Sequence, residues 1–64
     1  MTVQKIIRNL REKHGRSQDQ LAGRVMVTRQ AVSRWETGES EPGIDMRKLL
    51  ASALDVPVVE LLDL

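Results

Sequence analysis

The stretch SQDQLAGRVMVTRQAVSRWETGESEP, residues 17–42, decides how this chain is read. Ser17 and Gln20 have the spacing of a capping box, in which two side chains and two backbone N–H groups at a helix start satisfy one another. The helix opened there has Leu21, Ala22 and Val25 for an inner face. Thr28 is placed to cap a second helix, with Ala31, Val32 and Trp35 inward and Gly38 closing it. Only about three or four residues separate the two elements, so the second turns sharply out of the first.

Working outward, Val3, Ile6, Ile7 and Leu10 recur at i, i+3, i+4 and i+7, which predicts an amphipathic helix running to about His14 and ended by Gly15. Residues 39–43 form a loop that Pro42 keeps from continuing as helix. Asp45 is expected to cap a fourth helix burying Met46, Leu49, Leu50, Ala53 and Leu54. Pro57 begins a short fifth helix carrying Val58, Val59, Leu61, Leu62 and Leu64, residues that either close the core or form a dimer interface. No segment alternates with the period of a strand, and there is no repeat, low-complexity tract or linker. The expected architecture is all-α, a compact five-helix fold in one domain over residues 1–64.

Size and composition remove several classes of function. A chain of 64 residues supports one core, and without cysteine neither disulfides nor thiolate metal sites reinforce it, in keeping with a reducing cytoplasm. No apolar run approaches the roughly 18 residues of a membrane span, and Thr2, Gln4 and Lys5 do not make a secretory leader. His14 is the only histidine and reads as a partner of a helix C-terminus, so no metal site is expected. Ser33 has no histidine at helical spacing and there is no tyrosine, so neither an enzyme, a cofactor nor a small-molecule ligand is expected.

The net charge of +1 conceals an asymmetry. Residues up to Gly38 carry eight cations against three anions, and the remainder two cations against six anions. One end suits a polyanion, and the other is a solvated or partner-facing surface.

Arg29, Gln30, Ser33 and Arg34 share the outward arc of the helix opened by Thr28. Arginine's planar fork meets the O6 and N7 acceptors of guanine, and glutamine does the same for adenine N6 and N7. That is the chemistry of reading duplex DNA through its major groove. Ala31 admits either close approach to a thymine methyl or helix packing, whereas the spacing of Trp35 with Val32 points to the core. Lys13, Arg16 and Arg24 are candidates for phosphate contacts or for simple solvation.

Residues 17–42 resemble the Cro and lambda-repressor-like helix-turn-helix family, the xenobiotic response element type. Ser17, Leu21, Ala22, Val27, Val32, Ser33, Trp35, Glu36, Gly38 and Pro42 stand where that family has equivalent residues, and LASALDVPVVELL is similar to its last two helices. The resemblance implies five helices, a homodimer at least on DNA, a palindromic operator and a repressor's role. It makes Arg29, Gln30, Arg34 and Ser33 the base readers, Gln18 with Ser17, Thr28 and Arg16 the backbone contacts, and Arg11 with Glu36 a structural ion pair. Several positions depart from the pattern. Met26 replaces a turn glycine, Gly23 lies inside a helix, Thr37 replaces an asparagine, Glu39 and Glu41 replace phosphate-binding residues, and Arg47 replaces an apolar one. The acidic loop implies modest affinity. A protein-interaction module, such as an antitoxin or bridging factor on the same fold, is the alternative that the acidic second half and apolar C-terminus favour.

Overall fold

The computed structural model describes residues 2–62. Four α-helices follow one another: α1 (Val3–Lys13), α2 (Gln18–Arg24), α3 (Arg29–Thr37) and α4 (Ile44–Ala53). Among the described residues there is no strand. The expected fifth helix is instead a single 3-10 turn, Val58–Leu61. Glu60 N–H donates to Pro57 O (3.1 Å) and Leu62 N–H to Val59 O (3.3 Å). These i→i+3 bonds suit a short segment, for which the cost of an α-helical nucleus is large, and they carry Leu61 fully into the core. Leu64, expected to add to that apolar run, lies outside the described residues.

All four helices stop by the same device. Backbone N–H groups of Arg16, Val27, Glu39 and Val56 donate to the carbonyls of Arg11 (3.1 Å), Ala22 (3.0 Å), Arg34 (3.0 Å) and Ala51 (3.0 Å), each reaching five residues back. Such a Schellman closure needs a left-handed residue just before the donor. Those residues are Gly15 (φ 67°), Met26 (φ 60°), Gly38 (φ 85°) and Asp55 (φ 59°). At Gly38 a Cβ would meet only the flexible end of the Gln4 side chain, so it is the left-handed backbone that calls for glycine there.

Met26 therefore accepts a conformation that costs an L-residue roughly 1–2 kcal/mol. It is 88% exposed and leaves no core void when removed. Met26→Gly is expected to raise stability by about 0.5–1 kcal/mol, the relief of strain being offset in part by glycine's freedom in the unfolded chain. Urea denaturation checks this: an increased midpoint is expected, and a lowered one contradicts the strain.

The core gathers one face of every element. Ile7, Leu21, Val25, Val32, Leu50, Leu54 and Leu61 are fully buried, and Val3, Ala22, Trp35 and Ala51 nearly so. α3 lies against both α1 and α2, and the 3-10 turn closes α1 and α4. In α4 the buried stripe is Leu50, Ala51 and Leu54, whereas Leu49, expected inside, is 50% exposed because it falls at the stripe's outer edge. Asp45 is not the cap: Pro42 is buried, Gly43 takes the extended N-cap conformation without a side-chain bond, and Asp45 sits in the first turn, where its charge favours the helix dipole.

Arg47 replaces apolar packing with hydrogen bonds. Its Nε donates to Pro42 O (3.0 Å) and its Nη1 to Leu61 O (2.8 Å), while Nη2 lies 3.5 Å from Glu41. The loop before α4 and the 3-10 turn after it are thereby pinned to one side chain. Arg47→Met, similar in length and apolar, is expected to cost about 1–3 kcal/mol because two carbonyls lose a charged donor. An unchanged thermal midpoint would contradict this role.

Candidate nucleic-acid interface

Thr28 has extended backbone, and its Oγ1 accepts from Ala31 N–H (3.3 Å), which fixes where α3 begins. At 100° per residue, Arg29, Ser33, Gln30 and Arg34 then occupy an arc of about 140°. Arg29, Gln30 and Arg34 are exposed together on this arc; Ser33 is half-buried. Val32 and Trp35 hold the opposite side in the core, and Ala31 packs against it. Arg34 Nε lies 4.0 Å from Glu39 Oε2, both side chains being mostly exposed.

A buried carboxylate fixes the frame behind this arc. Glu36 Oε2 accepts from Arg11 Nε (2.7 Å) and Oε1 from Arg11 Nη2 (3.0 Å), a bidentate pair whose side chains are only 13% and 5% exposed. Arg11 Nη1 also donates to Arg16 O (2.8 Å), and Gln18 Nε2 donates to Glu36 Oε1 (3.2 Å). One carboxylate thus joins α1, the start of α2 and the end of α3. The hydrogen bonds to Glu36 raise the Arg11 pKa above its ordinary value, and burial takes back part of the rise.

The expected backbone contacts divide. Ser17 and Gln20 form the complete capping box, with Gln20 N–H donating to Ser17 Oγ (3.1 Å) and Ser17 N–H to Gln20 Oε1 (2.8 Å). Ser17 and Thr28 are exposed, whereas Gln18 is half-buried against Glu36. Arg16, half-buried, donates from Nη1 to Ala53 O (2.6 Å). Beside it, His14 Nε2 donates to Leu54 O (2.8 Å). The α1–α2 loop thereby supplies donors to the open carbonyl end of α4, so His14 partners the C-terminus of α4 rather than that of its own helix.

The family described as Helix-turn-helix (HTH_3) matches residues 7–61, nearly the whole chain. The chain belongs to the helix-turn-helix family. A protein of Pyrococcus furiosus named as an HTH-type transcriptional regulatory protein is 40% identical over 58 residues, covering 91% of this chain and 18% of that protein. The chain spans less than a third of the length of the curated relatives it matches. The solution structure of the DNA-binding domain of the P22 c2 repressor has a TM-score of 0.93 at 32% identity, covering 98% of this chain and 83% of that one. The crystal structure of the P22 c2 repressor with a synthetic operator has a TM-score of 0.91 at 32% identity, covering 97% of this chain and 94% of that one.

Within the helix-turn-helix unit, α2 and α3 are the two helices and residues 25–28 the turn between them. The Gln18 bond to Glu36 and the approach of Glu39 to Arg34 escape a reading of helix periodicity. Both join residues across elements or around a left-handed turn, and the only signal in the sequence is Gly38, which reverses the chain over the end of α3.

Proposed function

We propose that this chain is a sequence-specific double-stranded-DNA-binding transcriptional regulator of the repressor type, with α3 as the helix inserted in the major groove. The observation that carries the reading is the joint exposure of Arg29, Gln30 and Arg34 on a helix held from behind by Trp35, Val32 and the buried Arg11–Glu36 pair. Family membership and the likeness to the operator complex support it. In this reading Arg29, Gln30 and Arg34 read base edges, Ser33 lines the contact, and Ser17, Gln18 and Thr28 meet the DNA backbone beside it. Residues 1–64 act as one DNA-binding domain. Two copies bind a palindromic operator, which sets their α3 helices about 34 Å apart.

Selection of bound duplexes from a random pool, repeated at several salt concentrations, tests the reading. A converging pool whose affinity falls steeply with salt is expected; a pool that never converges contradicts it. Sedimentation of the protein with a recovered palindromic duplex tests the pairing of copies, and a strict one-to-one complex contradicts it.

A second reading, a protein-interaction module, is favoured by exposed Ile44, Leu49 and Val59 in the acidic half of the chain. A partner that competes with the selected duplex would distinguish a shared surface from a separate one.

A further inference from the structure

The loop that ends α3 is wound around one residue. The Arg34 carbonyl accepts from Glu39 N–H (3.0 Å), Ser40 N–H (3.4 Å) and Thr37 Oγ1 (3.2 Å), and Gly38 N–H points to it as well. Left-handed Gly38 turns the chain back, so the Glu39 carboxylate comes to lie 4.0 Å from the Arg34 Nε. Nε is the guanidinium atom nearest the carboxylate, and the other edge of the group, Nη1 with Nη2, is one able to donate two parallel hydrogen bonds to guanine O6 and N7.

We infer that Glu39 is a positioning residue for Arg34 in base recognition, and that it raises discrimination at one guanine while lowering affinity for DNA of any sequence. The inference rests on the proposed reading of α3. Both effects follow from one carboxylate. With its side chain 68% exposed, Glu39 gains little from the pair in water, but the attraction strengthens when a groove wall displaces solvent. The same negative charge repels phosphates whatever the sequence. An acid in this loop is therefore not a simple defect in a DNA-binding surface.

The test uses Glu39→Gln, Arg34→Ala and the double variant on three probes: the tightest duplex recovered from a random pool, the same duplex with 7-deazaguanine at the position whose preference Arg34→Ala abolishes, and a scrambled duplex. Glu39→Gln is expected to bind the scrambled duplex about twofold to threefold more tightly. Its preference for guanine over 7-deazaguanine is expected to fall by about fivefold, and in the Arg34→Ala background the substitution leaves that preference unchanged. Circular dichroism melting of each variant confirms that an exposed position has been altered without unfolding. If Glu39→Gln tightens all three probes equally, Glu39 is a repulsive charge alone and the inference fails. If Arg34→Ala abolishes no preference, the inference fails while DNA binding stands. A wild-type pool that does not converge overturns the reading of α3 itself, before any variant is made.

Discussion

Glu36→Ala is expected to lower stability by about 3–5 kcal/mol, an amount comparable to all that a single core supplies in a chain this small. The reason is geometric. Glu36 accepts both arms of the Arg11 fork and the Gln18 amide, so its removal leaves a mostly buried guanidinium with one partner, Arg16 O. Removing one member of such a pair costs more than the pair contributes, because the other charge stays behind without its counter-ion. Glu36→Gln keeps the shape and one acceptor oxygen, so it is expected to fall between wild type and Glu36→Ala. Urea denaturation measures both, and a loss below about 1 kcal/mol for Glu36→Ala would show that water replaces the carboxylate. The pH dependence from the Arg11 side is fixed in sign. Its pKa is raised in the fold, so its contribution is fully present below the ordinary guanidinium value and is lost only as pH rises through the raised one. Guanidinium titration therefore leaves the joint intact through the neutral range.

Arg34→Ala is expected to weaken binding to the preferred duplex by about 1–3 kcal/mol and to relax discrimination at a single base pair. Arg34 is exposed at one end of the α3 arc, and among the described residues its side chain approaches only the solvated Glu39 carboxylate, 4.0 Å away. Its loss should leave the fold intact and act on binding alone. Competition binding against duplexes substituted at each position reads the effect. A loss equal on every sequence would make Arg34 a phosphate contact, and no loss would remove it from the interface. Gln18→Ala provides the contrast: as a proposed contact to the DNA backbone, its loss is expected to weaken all duplexes alike.

How much of this was legible in the chain depends on the range of the interaction. Caps and inward stripes are local, and Ser17 with Gln20, Thr28, and the pair Val32 and Trp35 stand where their spacing predicts. The exposed arc of α3 is legible for the same reason, being fixed by helical period once Thr28 sets the start. Position 26 shows what a departure from the family pattern does: methionine takes the left-handed conformation that glycine would take without strain. Errors arise where packing decides. Leu49 has the composition of a core residue, but the phase of α4 is set by Leu50, Ala51 and Leu54, with Arg47 anchoring the same side. Arg16 looks like a free cation until the end of α4 is brought beside it. Residues after Pro57 have the composition of a helix, yet they make only a 3-10 turn that delivers Leu61 to the core.

The central claim is that DNA meets the exposed arc of α3 and the adjoining start of α2. Backbone and side-chain NMR shifts of the labelled protein, titrated with a duplex recovered from the random pool, test it most directly. The largest changes are expected at Arg29, Gln30 and Arg34, with smaller ones at Ser17, Gln18 and Thr28. Changes centred instead on the apolar groove lined by Ile6 and Leu10, or on exposed Ile44 and Leu49, with α3 unmoved, would contradict the account.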